Sequence, residues 1–462
     1  MTRVFQINIR NFLKEHRIQN VNQIFDEFWC NLKSNGITTI WLLGVWSISP
    51  DSVIQSKKLH FKDFIHTKDD LIGSCFAVED YTFDPLIGSS NDFETLHNKL
   101  NSLGLKLMLD FVPNHFGISQ SLLNSNSEIF LTAPTFDPKL TFEHNNKFYY
   151  FGKDPHFDPW NDTLQLDYSQ DSTQDFMLSK LQYISQFCDS VRCDMSMLVV
   201  PEVFSKTWNI EVKSNFWKKA IPAIKSSNPN FVFLAEVYWG LENTMIELGF
   251  DYSYNKAFVE DLIHSNWNKL DQQIQLTNSA CFLENHDENR IANLLDAENL
   301  RLAFALFCIL PSMQLHQYRQ WQGEKIRLPI QLCQVQDYVD IYFEQFCISC
   351  LTNTKDLILV NKTRFDTCCW ILELKNTSEL NQKIDSNLTK TFIILNFDVN
   401  SKQYNLSQLI KSELHNPNSK LLILDQNWQT ILTISSTKEL SATNNLTITV
   451  DPKNILIIQI QE

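Results

Sequence analysis

Short apolar runs alternate with longer stretches of helical period through the first 350 residues, and few folds satisfy that alternation. Val4–Ile9 opens the series as a strand candidate. Thr38–Trp46, Leu105–Val112, Ser190–Cys193, Phe231–Val237, Phe250–Tyr254, Ala280–Leu283 and Cys308–Leu315 complete a set of eight. Asn22–Ser34, Asp92–Leu103, Asp171–Cys188 and Asn215–Ser226 carry helical spacing between them, and Gly36 and Gly104 stand just past the first two. Strands this uniformly apolar are buried on both faces, as in a parallel sheet. Eight of them alternating with helices predict an α/β chain built as a (β/α)8 TIM barrel. The barrel is expected over 1–350, interrupted at 116–165 by an aperiodic insert rich in Asn, Asp, Pro and aromatic residues.

Past residue 350 the texture changes. Leu357–Asn361, Cys369–Leu374, Thr391–Phe397, Lys420–Leu424, Leu446–Val450 and Ile455–Ile460 are short strand-like runs separated by polar turns. No helical period dominates there, so 355–462 reads as a C-terminal antiparallel β-sandwich.

The chemistry concentrates at predicted strand ends. Four segments stand there: Asp110-Phe-Val-Pro-Asn-His115, Val191-Arg-Cys-Asp194, Phe233-Leu-Ala-Glu236 and Phe282-Leu-Glu-Asn-His-Asp287. In a parallel barrel all such ends share one face, and that face holds the site. Three converging carboxylates suit glycoside cleavage, which needs one ionised and one protonated carboxyl around an oxocarbenium-like transition state. Arg192 and Asp194 are two apart on a strand and point the same way. A guanidinium there favours the ionised form, so Asp194 is read as the nucleophile. Glu236 sits among Phe, Leu, Tyr and Trp neighbours that raise a carboxyl pKa, so it is read as the proton donor. Asp287 is read as a holder of sugar hydroxyls, with Asp110, His115, Arg192 and His286 around the same sugar. Trp239, close to Glu236, is read as a stacking platform, and Cys193 as a core residue on the far side of its strand.

In order and spacing, the four segments resemble the four short sequence regions of the α-amylase superfamily, a glycoside hydrolase family 13-like pattern. The resemblance implies a retaining mechanism through a glycosyl-enzyme intermediate. It also implies that 116–165 is an inserted domain B and 355–462 a domain C. Gly73-Ser-Cys-Phe-Ala-Val-Glu-Asp-Tyr81 resembles the segment where that family usually places a stacking Tyr, and here Phe76 takes the place. The family often continues its second region with a Lys-His pair, which Asp194-Met-Ser-Met-Leu198 lacks. Asn114 alone matches a family calcium ligand, too little for a hard cation that takes six or more oxygens, so no metal or other cofactor is expected.

Composition narrows the rest. A net charge of −14 argues against nucleic acid as a partner. Phosphate-loop motifs are absent, and no apolar run reaches the roughly 20 residues of a membrane span. The N-terminus alternates like a strand and has no signal-peptide core, and the 11 cysteines form no disulfide framework. A cytoplasmic enzyme acting on an oligosaccharide is therefore expected, without indication of oligomeric state. Two readings stay open within the fold: a transglycosylase and a catalytically silent sugar-binding homologue. A metallohydrolase built on His115 and His286 is opposed by Arg192, whose charge repels a cation.

Overall fold

The computed structural model describes residues 1–62, 64–377, 390–405, 420–434 and 447–461. Eight parallel strands close into a barrel: β1 Arg3–Asn8, β2 Thr39–Leu43, β3 Lys106–Phe111, β4 Ser190–Cys193, β5 Val232–Ala235, β6 Tyr252–Asn255, β7 Ser279–Phe282 and β8 Met313–Gln317. Each pairs with its sequence neighbours, and β8 returns to β1 with Val4 opposite Leu315. Helices cover the outside, among them Ser90–Ser102, Asp171–Ile184, Phe216–Ser227 and Ala297–Cys308. Their starts are chemically marked. Ser89 and Asp92 form a capping box, and Asn215 accepts from the backbone N–H groups of Trp217 and Lys218.

One strand is displaced from its expected place. Cys308–Leu315 was read as the eighth strand, whereas β8 starts at Met313. The apolar run ahead of it is the buried helix Ala297–Cys308, where period cannot separate helix from strand because nearly every position is covered.

The insert leaves the barrel after β3 and is closed at its base by His115–Gly117 pairing antiparallel with Thr163–Gln165. A three-stranded sheet of Thr132–Ala133, Lys147–Tyr150 and Thr141–His144 forms its body. Gly117 sits where the insert meets the loop after β2. A Cβ there would come within 2.5 Å of the Ala77 carbonyl oxygen, so only glycine allows this approach.

Helix Ile341–Thr354 packs on the barrel and leads into the C-terminal strands. These are β9 Leu357–Asp366, β10 Cys369–Asn376, β11 Lys390–Asn396, β12 Lys402–Asn405, β13 Lys420–Leu424, β14 Thr430–Ile434, β15 Thr447–Val450 and β16 Asn454–Gln461. Six form an antiparallel sheet in the order β9-β10-β11-β16-β13-β14, and β12 pairs with β15. Alternation divides the large sheet's side chains. Trp370, Leu372, Ile393, Leu395 and Ile457 join the barrel's core, while Ile371, Phe392, Ile394 and Ile458 pack with Tyr404 of β12 and Val450 of β15. Strands β12 and β14 were not anticipated, and the first residue of the expected run Leu446–Val450 lies outside the described residues. Among the described residues no helix is long and apolar enough to cross a membrane.

Candidate active site

The register of the barrel strands assembles the site. Arg192 pairs opposite Asp110 on β3 and Leu234 on β5, which sets its guanidinium level with the ends of both neighbours. The chain turns immediately after β4 and β5, so Asp194 and Glu236 stand just beyond paired residues Cys193 and Ala235. Asp287 follows β7 on a loop whose Asn285 side-chain oxygen accepts from the backbone N–H of Asp287 and of Glu288, both at 2.9 Å. Behind that loop, buried Glu284 accepts from Arg290 Nη1 at 2.7 Å and from Ile291 N at 2.8 Å.

Arg192 is fully buried and organises three carboxylates. Its Nη1 donates to Asp194 Oδ1 at 2.8 Å and to Asp110 Oδ1 at 3.3 Å, and its Nη2 lies 2.7 Å from Glu236 Oε2. The rings of Phe76, Trp41 and Tyr254 surround the guanidinium with centroids 5.1, 5.4 and 5.9 Å from Cζ. Desolvation of the cation is thereby matched by aromatic faces and by paired acids. Glu236 Oε2 also accepts from the backbone N–H of Met195 at 2.7 Å, and Tyr238 Oη donates to Glu236 Oε1 at 2.9 Å. Met195 reaches it from a left-handed conformation, φ 37°. The following Ser196 ties the same turn to the Glu236 carbonyl through its N–H and its hydroxyl.

Burial raises the pKa of Glu236 and of Asp194; Arg192 opposes this, and neighbouring acids add to it. Arg192 favours the ionised form of Asp194, as read from the sequence, but one guanidinium is shared by three buried acids, and desolvation outweighs its share. Asp110 is pushed up to about 6 by burial, despite Arg192 and the Trp41 indole, which donates to it at 3.1 Å. Asp287 goes the other way. Burial resists its ionisation, yet the His286 ring at 2.9 Å, with Arg192 and Arg327, holds it at about 2. His286 is raised: burial opposes this, but the charge of Asp287 and its hydrogen bond together prevail, and the His286 Nδ1 meets Gln6 Nε2 at 2.8 Å. His115 is pushed down to about 4 by burial and is neutral near pH 7. A set with some acids pushed up and one held ionised can supply both a proton donor and anions.

These groups meet in a pocket of about 320 Å³ lined by Phe76, His115, Asp194, Glu236 and Asp287, with Trp160, Asp162 and Thr163 from the insert. Asp110, Arg192 and His286 support it from beneath. Trp239 does not line it: the residue is 41% exposed, at φ 64°, with its ring edge-on to His156 at 4.7 Å. Trp160 is the aromatic residue that the insert brings in, 5.0 Å from the His115 ring. Gln6, Trp41, Tyr238 and Tyr254 escaped sequence reasoning as site residues. Tyr254 stands one residue before the end of β6, and the rule that directed attention to Asp194 and Glu236 would have found it. Cys193 is buried in the core as expected, and burial pushes its thiol up.

Asn114 does not fit a cation. Gln165 Nε2 donates to Asn114 Oδ1 at 3.0 Å, to the Asn114 carbonyl at 3.0 Å and to the Leu166 carbonyl at 3.2 Å. An amide nitrogen thus occupies the centre of the oxygens that a metal would need.

Comparison with known proteins agrees with this architecture. Residues 31–164 match the model of the alpha amylase catalytic domain. A 1,4-alpha-glucan branching enzyme of Clostridium perfringens is 26% identical over 202 residues, covering 40% of this chain and 28% of that enzyme. The match thus spans about a quarter of that relative's length. Among solved structures, a maltogenic alpha-amylase from Thermotoga neapolitana superposes with a TM-score of 0.62 at 17% identity, covering 100% of this chain and 99% of that one. An alpha-amylase from Geobacillus thermoleovorans, complexed with acarbose, gives 0.64 at 16% identity, covering 100% and 98%. At such identities the likeness is one of fold, and it runs the length of the chain. The catalytic-domain match over 31–164, the closed barrel and the four segments at its strand ends are what this chain shares with α-amylases.

Proposed function

We propose that the protein is a retaining glycosidase acting on α-glucosidic bonds of maltooligosaccharides or related α-glucans. The observation that carries this is the sharing of one buried guanidinium between Asp194 and Glu236, with Asp287 in the same pocket. Arg192 occupies Asp194 Oδ1, and no described residue hydrogen-bonds Oδ2, which is the oxygen suited to attack the anomeric carbon. Glu236 has its Oε2 engaged by Arg192 and Met195, while Oε1 meets only the Tyr238 hydroxyl. A hydroxyl accepts as readily as it donates, so Oε1 can carry the proton that passes to the leaving oxygen. Attack by Asp194 then gives a glycosyl-enzyme, and Glu236, now ionised, takes a proton from the incoming water. Asp287, ionised at about 2, adds negative charge beside the oxocarbenium-like centre. Phe76, half-buried on the pocket wall, offers a stacking face, and His115 a neutral ring for a sugar hydroxyl.

Transfer to a sugar hydroxyl in place of water is a second reading, favoured by the stretch shared with a branching enzyme. A catalytically silent barrel is disfavoured by the retention of all three carboxylates in one pocket. The cytoplasm is the compartment proposed: all 11 cysteines are free and ten are at least partly buried, which suits a reducing environment. Incubation of the wild type and of Glu236→Gln with a panel of α-glucosides tests the function, with products followed by chromatography. Loss of turnover in the variant supports it. Products longer than the substrate identify transfer, and wild-type activity in the variant overturns the assignment.

A further inference from the structure

Past Asp287 the cleft opens into a second groove of about 860 Å³, which shares Asp287, Ile330 and Gln331 with the pocket. Its charge runs against the rest of the chain, where 53 acidic residues outnumber 39 basic ones. His60, Lys62, Lys325 and Arg327 line it, and Asp287 is the single carboxylate among its described lining residues. They come from two separate loops, after β2 and after β8, that converge beside the site.

Three acids on the flanking segments are already engaged. Glu288 pairs with Lys256 at 2.6 Å, and Asp70 with Lys14 at 2.6 Å. Glu324 Oε1 accepts from the backbone N–H of Lys325 and of Ile326. Arg327 donates one nitrogen to the Asp287 carbonyl at 2.8 Å and keeps its other donors. Lys62 and Lys325 have no carboxylate within ion-pair distance among the described residues, and Lys325 touches only the Tyr338 ring, at 5.9 Å. A neutral glucan needs no cations, whereas a phosphate ester does. Lys presents a compact point charge, and Arg a planar fork for phosphate oxygens.

We propose that this groove receives the phosphate ester of a phosphorylated α-glucoside whose scissile glucose sits in the pocket. The proposal rests on the glycosidase reading for its substrate, but not for its anion site. Titration calorimetry on the full chain tests it with glucose 6-phosphate, glucose and inorganic phosphate, beside turnover of maltose and maltose 6′-phosphate. Glucose 6-phosphate is expected to bind at least ~10-fold more tightly than glucose, and the advantage is expected to shrink as salt screens the lysines. Lys62→Ala with Lys325→Ala removes that advantage and leaves maltose turnover unchanged. Equal binding of the two sugars, or an advantage that survives the double variant, overturns the proposal while maltose turnover still upholds the glycosidase. Inorganic phosphate binding as tightly as glucose 6-phosphate overturns it too, since the sugar then contributes nothing. Lysine-dependent binding of glucose 6-phosphate without turnover of any glucoside upholds the anion site and removes the glycosidase reading.

Discussion

Arg192 Nη2 lies 2.7 Å from Glu236 Oε2, so the proposed acid is held by the same guanidinium that grips the proposed nucleophile. Arg192→Ala leaves buried acids without their cation. The expected result is a loss of about 3–5 kcal/mol of stability in denaturant titration. kcat/KM is expected to fall by roughly 10³-fold. Retained activity would show that Arg192 orders neither carboxylate.

Tyr238 donates to Glu236 Oε1. A bond to the ionised form favours that form, so removing it raises the Glu236 pKa. In Tyr238→Phe the alkaline limb of the kcat profile, where the acid loses its proton, therefore moves to higher pH. The size expected is about one unit, the worth of one hydrogen bond to a charged group. A limb that stays in place while kcat alone falls would assign Tyr238 a packing role.

His286 holds Asp287 at about 2 against the pull of burial. His286→Ala removes the first of the opposing influences, so the Asp287 pKa climbs. Activity that depends on ionised Asp287 is present above that pKa and lost below it. The acid limb of kcat/KM should move to higher pH in the variant. Gln6→Leu, which takes away the partner of His286 Nδ1, should move it in the same direction by less.

Gly152 lies against the wall of the pocket. A Cβ there would fall 2.7 Å from Thr163 Oγ1 and 2.9 Å from His115 Cβ. Gly152→Ala is expected to displace the His115 ring and lower kcat/KM by about 10²-fold, the cost of a misplacement near 1 Å. Steady-state kinetics beside a melting curve separates this from unfolding, since the residue belongs to the insert and not to the barrel core.

Glu284 and Arg290 form a buried pair 2.7 Å apart beneath the Asp287 loop. Burial raises the Glu284 pKa, and Arg290 and the Ile291 N–H oppose it. Glu284→Gln should cost about 3–5 kcal/mol in thermal or urea unfolding, because Arg290 is left buried without a counter-ion. It should also lower kcat, as the turn that presents Asp287 loosens.

The sequence carried the barrel because buried parallel strands write themselves as apolar runs, and the three carboxylates because strand ends share one face. It failed where burial is uniform. Leu302 to Leu310 is apolar throughout, and only the ending of helix Ala297–Cys308 ahead of Pro311 placed β8 at Met313. Strand β12, Lys-Gln-Tyr-Asn, buries Tyr404 and little else, so it carries no alternation to read. Nearness in sequence to Glu236 favours Trp239 as the stacking residue. Trp160 lines the pocket instead because pairing of His115–Gly117 with Thr163–Gln165 folds the insert back over the strand ends. Long-range closure of that kind leaves no local pattern. Gln6 and Trp41 were hidden for a related reason: each lies inside a strand that reads as core.

The amide of Gln165 gives the junction between barrel and insert an unusual evolutionary position. Its nitrogen gathers two carbonyls and the Asn114 side chain, so one side chain of the insert ties Asn114, beyond the end of β3, to the end of the return strand Thr163–Gln165. Exchange of that one nitrogen for oxygen, Gln165→Glu, would turn a donor among oxygens into another oxygen carrying charge. Four oxygens would then face one another with no donor between them. One atom of one side chain therefore decides whether the junction between barrel and insert is held together or pushed apart.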